Sequence, residues 1–267
     1  MTTKLRAASF QDGAVTTAKI AADAITNSKI ADDAVQTENV ASTVNLGRRN
    51  IIINGAMQVA QRGTSVTGVT SGGYKTCDRW TVSNTSQGTW TISQSSTAPS
   101  DFTNSLKFDC TTADGTTNAS DQLGVDTRIE AKDLIQLNYG TSSAKTITLS
   151  FHVRSNKTGT YTINVRKQDT TQYVMPIEYT ISSADTWEQK TINISPTAGS
   201  TSLITSSAGA IVNDNGEGLQ IGWNLAWGSN YHATNNTWTS GNSYSTSNQV
   251  NWMDSTSNNF YITGVQL

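Results

Sequence analysis

The chain has 267 residues, only 14% of them charged, and a net charge of −2. Ordinary soluble domains carry roughly 25% charged residues, and here Ser, Thr, Asn and Gly make up the difference, a composition of fibres and secreted modules. The near-neutral balance excludes long-range attraction to phosphate backbones or anionic lipid, and no apolar run reaches the roughly 20 residues that span a bilayer, so neither nucleic acid nor membrane insertion is expected.

Residues 1–46 form a first unit. Between Gly13 and Ser42 the lines GAVTTAKIAA, DAITNSKIAD and DAVQTENVAS follow one another in steps of ten, and Val15, Ile20, Ile25, Ile30, Val35 and Val40 recur every five residues. A five-residue step turns a helix by about 140°, which smears these side chains around the axis. In extended chain an odd step sends successive ones to opposite faces. So short a repeat cannot enclose a core in one copy. The pattern predicts an extended arm that lends its branched residues to a shared axis, as in a homotrimer, or lies along another protein.

Residues 47–267 change to period two. Thr146–Arg154 places Ile147, Leu149, Phe151 and Val153 on one face and Thr148, Ser150, His152 and Arg154 on the other. That is a half-buried antiparallel strand. The same alternation runs through Trp80/Val82, Trp90/Ile92, Leu106/Phe108/Cys110, Tyr161/Ile163/Val165, Tyr173–Ile181, Ile192/Ile194, Ile221/Trp223/Leu225/Trp227 and Tyr261/Thr263/Val265/Leu267. Gly/Asn/Ser turn signals separate these runs. About nine or ten strands describe an all-β head, a jelly-roll-like β-sandwich preceded by the extended repeat-containing arm. Asp126–Tyr139 reads as a short helix or a long crossover, and 63–73 and 228–248 read as loops. Cys77 and Cys110 lack the number and spacing of a zinc site; Cys110 reads as a small buried hydrophobe, with a disulfide to Cys77 as the alternative.

Three motifs in order carry a family resemblance: RNIIINGAMQVAQRG from Arg49 to Gly63, Asp78-Arg79-Trp80, and FYITGVQL from Phe260 to Leu267. With the decapeptide repeats, they make the chain resemble fibre and tail-appendage virion proteins of tailed bacteriophages. Asn50, Asn54, Gly55, Met57, Gln61 and Arg62 match the opening of that family's pattern. The resemblance implies a carbohydrate-binding-module-like sandwich on a homotrimeric stalk, joined to other virion proteins of the tail or capsid and meeting a host surface glycan. It implies a virion location after assembly in the host cytoplasm, and no catalytic residues. Read as structure alone, Asn54-Gly55 is a tight turn and Asp78/Arg79 orients the entry to a strand.

No chemistry-bearing cluster stands out. A glycosidase needs two carboxylates about 5 to 9.5 Å apart, and nothing pairs Asp or Glu here. His152 and His232 lie far apart, and no Gly-x-Ser-x-Gly elbow is present. The chain is expected not to be an enzyme and to use no cofactor. Asp214, Asn215 and Glu217 supply oxygens that calcium prefers, but a Gly-rich turn accounts for them, so no metal site is expected. Trp223 and Trp227 fall in the inward phase of a strand. Tyr231, His232, Trp238 and Tyr244 lie in the polar stretch after Gly228, where rings need another reason to be. They are the candidate glycan platform, with a subunit contact as the alternative, because a sugar's C–H face stacks on a flat ring. A capsid decoration or tail adaptor without receptor binding is the rival role, and a polysaccharide depolymerase a more distant one.

Overall fold

A computed structural model describes residues 50–267, and Asn50–Leu267 form a unit of their own. The arm residues Val15, Ile20, Ile25, Ile30, Val35 and Val40 lie outside the described residues. Among the described residues, thirteen strands build two antiparallel sheets. One has the order β1 (Ser65–Val69), β4 (Thr89–Ser95), β5 (Ser105–Thr112), β13 (Asn259–Gln266), β7 (Ile147–Ser155), β10 (Glu188–Ile194). The other runs β12 (Thr239–Ser240), β9 (Tyr173–Ile181), β8 (Gly159–Lys167), β11 (Glu217–Trp227), β6 (Gln122–Glu130), β3 (Trp80–Thr85), β2 (Gly73–Tyr74). The head is therefore the all-β sandwich that the alternation predicts.

Alternating apolar residues of both sheets meet in the core. Trp80, Trp223, Phe151, Tyr179, Tyr161, Phe260, Phe108 and Trp90 form one chain of rings, with successive centroids 5.3–6.2 Å apart. Each such contact adds about 0.5–1.5 kcal/mol beyond the area it buries. Because the rings come from both sheets, the chain of contacts fixes how the layers stack. Cys77 and Cys110 are both free and buried, and burial pushes the Cys77 thiol up to about 11.

The three motifs meet at one end of the sandwich. The Asn50 Oδ1 atom accepts from the backbone N–H of Ile52 at 3.0 Å and of Leu267 at 3.2 Å, tying the start of the head to its last residue. Asn54 is αL, with φ 57°, and its amide donates to the carbonyls of Val59 and Asp78, both at 2.9 Å. The Trp80 indole N–H returns to the Asn54 carbonyl at 3.1 Å, and Val265 N–H donates to Gly55 O at 3.0 Å. Only glycine fits at position 55, since a Cβ there would stand 2.1 Å from Val265 O. These motif residues close the sandwich.

Several elements differ from the alternation. Asp126–Tyr139 is divided: β6 runs to Glu130 and a 3-10 helix spans Ala131–Leu137. The strand hid because Thr127 and Gly124 dilute its contrast. Ser65–Val69 is an edge strand, and the 228–248 stretch contains a 3-10 turn at Ser229–Tyr231 and the short β12. In β13 the inward set is Phe260, Ile262 and Val265, one step out of phase with expectation at its start. A register shift between Thr263 and Gln266, with Gly264 at φ 62°, restores the phase at Val265. Tyr261 thereby reaches the outer face, under Arg154 at 5.0 Å and Lys107 at 5.5 Å.

Candidate glycan-binding groove

The outer face of the seven-stranded sheet is built by register. Antiparallel pairing aligns Arg166, Gln220 and Arg128 in one row across β8, β11 and β6. The next row is Asn164, Gly222, Asp126 and Thr81, and the third is Thr162, Asn224, Gly124 and Ser83. Beside the hydroxyls of Thr81, Thr162 and Ser83, these rows carry three amides, one carboxylate and two guanidinium groups. Arg166, Gln220, Arg128, Asn164, Asp126 and Ser83 of these rows line a hollow of about 210 Å³, smaller than the roughly 300–1,000 Å³ pockets that enclose drug-sized ligands. Such a groove holds part of a ligand and leaves the rest in solvent.

Trp227 enters this groove through a β-bulge. Strand period would place it inward with Ile221, Trp223 and Leu225. A register shift between Asn224 and Ala226 puts Leu225 and Ala226 together in the core and turns Trp227 to the outer face, opposite Gln122. One extra residue on one strand reverses the phase of everything after it. Gly124 completes the accommodation, because a Cβ there would lie 3.3 Å from the indole Nε1 atom.

Tyr231 and Tyr244 stand beside Trp227. Its ring centroid is 5.1 Å from that of Tyr231 and 4.9 Å from that of Tyr244, and the two tyrosines are 6.0 Å apart. The loop holding them is zipped internally, with Ser245 N–H donating to Tyr231 O at 3.0 Å and Ala233 N–H to Ser245 O at 2.9 Å. The Gln122 amide bonds to the Tyr231 hydroxyl. Asn224 Nδ2 donates to Tyr244 O at 2.5 Å, so the loop is also fastened to the sheet.

Of the four predicted platform residues, these two tyrosines share the groove. His232 lines an adjoining hollow, its Nε2 atom 3.0 Å from Trp227 O. Trp238 is placed differently: it is 1% exposed, and its indole donates to Ser195 O at 2.8 Å. A ring packed in the core has no face for a ligand. The sequence reading missed Gln122, Asp126, Arg128, Asn164, Arg166 and Gln220. Their one signal was the unusual richness of the polar phase in β6, β8 and β11, which acquires meaning only once the strands are side by side.

An ion network links the groove's arginines to Glu217 beside it. Glu217 accepts from Arg166 Nη2 at 2.6 Å and faces Arg128 Nε at 3.2 Å, and Asp126 lies 3.6 Å from the same Arg128 nitrogen. Burial raises the Asp126 carboxyl to about 7, against the opposing pull of Arg128 and Arg166. Glu217 is thus taken up by the groove's two arginines, and among the described residues no group of three or more His, Cys, Asp or Glu could hold a metal ion. Four further polar atoms of the lining have no hydrogen-bond partner within the protein: the acceptors Asn164 Oδ1 and Gln220 Oε1, and the donors Arg166 Nε and Trp227 Nε1. Buried polar atoms are nearly always paired. These atoms leave hydrogen-bonding capacity at the groove that water, or a ligand offering both donors and acceptors, can complete.

No protein-family model matches the chain, and no curated protein is significantly similar to it. Among solved structures, a candidate sugar binding protein from Bacteroides thetaiotaomicron is 13% identical with a TM-score of 0.45, covering 81% of this chain and 98% of that one. The enzymatically active domain of bacteriophage CBA120 tailspike protein 4 is 14% identical with a TM-score of 0.40, over 82% of this chain and 21% of that one. A family 11 carbohydrate-binding module from Clostridium thermocellum is 10% identical with a TM-score of 0.35, over 77% and 96%. These are distant likenesses of shape, and the functional reading rests on this chain's own residues.

Proposed function

We propose that the head is a glycan-binding module without catalytic activity, carried on a bacteriophage virion by the repeat arm and presented to the host surface. The groove carries this reading. Two half-buried tyrosine rings, backed by the buried Trp227, offer apolar surface for sugar C–H groups, and beside them lie donors and acceptors that a sugar hydroxyl can satisfy at once, since it both donates and accepts. A carboxylate or phosphate, which only accepts, would leave Asn164 Oδ1 and Gln220 Oε1 unpaired. The virion role draws on the three motifs and the decapeptide repeats. A homotrimer would gather three such grooves, and multivalency turns weak single-site binding into useful avidity.

Two experiments test the parts separately. On a glycan array, Tyr244→Ala should lose the wild-type signals while remaining folded; retention of those signals would remove the groove from the reading. Deleting residues 1–46 should leave a folded head that binds glycan but no longer enters particles. Normal incorporation of the truncated chain would end the attachment role.

Hydrolysis is the second reading, favoured by one observation: Asp126 in this groove and Glu217 in the adjoining hollow approach the same nitrogen of Arg128. A carboxyl raised toward neutrality is what a general acid requires. Against it, both Glu217 oxygens face guanidinium groups and neither is left for water or a sugar carbon. Release of reducing ends from a bound polysaccharide, abolished by Asp126→Asn, would establish hydrolysis in place of simple binding.

A further inference from the structure

The groove does not end at its rings. At the Glu217 end of β11 it meets a second hollow of about 200 Å³, lined by Tyr74, Arg79, Asn215 and Glu217, and the two share Arg128. At the other end a third hollow of about 160 Å³, lined by His232, Val250 and Asn251, shares Trp227. The three follow one another along β11, whose ten residue steps from Glu217 to Trp227 extend about 33 Å.

The far hollow has an aromatic wall of its own. Tyr74 is 47% exposed on the two-residue edge strand β2 and lines this hollow. Arg62 lies over the ring at 5.2 Å and is itself paired with Asp78 at 3.2 Å. The guanidinium packs on the ring and holds it beside the hollow that Tyr74 lines. β2 is paired to β3 at Gly73 and Tyr74, so the ring is also carried on sheet backbone.

We propose that the ligand is an extended glycan chain lying along β11, with Tyr74 forming a distal subsite, in contrast to recognition of a single terminal sugar. This rests on the glycan-binding reading of the central groove. A terminal sugar would fill the central hollow alone and leave the shared walls at Arg128 and at Trp227 without purpose. A chain uses both walls as junctions between successive units.

The test measures affinities of the full chain for glucose-, galactose- and mannose-based oligosaccharides, from dimer to hexamer, by titration calorimetry. Wild type, Tyr74→Ala and Tyr74→Phe are compared. Affinity should rise with length, and Tyr74→Ala should weaken the hexamer about tenfold while changing the dimer less than about twofold. Tyr74→Phe, which keeps the ring, should behave as wild type. Affinity independent of length, with Tyr74→Ala equal to wild type, overturns the distal subsite and leaves the central groove standing. Binding of wild type to none of the series overturns the groove reading and the subsite with it.

Discussion

Replacing Asp126 by Asn should stabilise the protein, and by an amount that depends on pH. The carboxyl is 3% exposed, and burial raises it from 3.8 to about 7. Below about pH 4 it is protonated in both folded and unfolded chains, and ionisation contributes nothing. Between about pH 4 and pH 7 the unfolded chain releases a proton that the native protein retains. Native stability then falls by ~1.36 kcal/mol for each pH unit. The interval from 3.8 to about 7 amounts to roughly 4 kcal/mol, fully present above about pH 7. Asn keeps the size of the side chain and cannot ionise. Urea unfolding of wild type and Asp126→Asn should therefore give nearly equal stabilities at about pH 4, with a gap that opens toward roughly 4 kcal/mol by about pH 8. A gap that stays constant across this range would refute the assignment of a buried, neutralised carboxyl. A wild type that gains on the variant with rising pH would reverse its sign.

Two further predictions address the packing around the groove. Trp238→Ala should cost about 3–5 kcal/mol of unfolding free energy, because it empties a core site and orphans Ser195 O, yet leave the folded protein's glycan affinity unchanged. Selective loss of binding without loss of stability would return this ring to the platform. Gly55→Ala should destabilise by about 1–3 kcal/mol through the clash with Val265 O, read as a lower midpoint in thermal unfolding; an unchanged midpoint would show that the motif closure is not tight.

Much of the architecture was legible because burial writes a period into a strand. Leu149, Phe151 and Val153 in β7, and Tyr161, Ile163 and Val165 in β8, alternate with polar neighbours, and all six are fully buried. The period misled at the two bulges. Around Ala226 and Gly264 one extra residue changes which face the next side chain meets, and no hydrophobicity pattern records that. Trp227 was thereby assigned to the core and Tyr261 likewise, although both reach an outer face. The motifs were legible as residues but not as a structure: Asn50, Asn54, Asp78, Trp80 and Leu267 are far apart in the chain, and only folding brings them to one closure.

The amino-acid order alone determined the strand content, the change of text near residue 47 and the abundance of short polar side chains, since these depend on local spacing and composition. The groove was decided only by tertiary structure. Arg166, Gln220 and Arg128 come from three strands, and nothing in any one of them states that antiparallel register will align the three side chains in a single row. Registers, bulges and sheet order are non-local, set by the packing of the core on the opposite face of the same sheet, and the outward-facing residues take the positions which that packing leaves them.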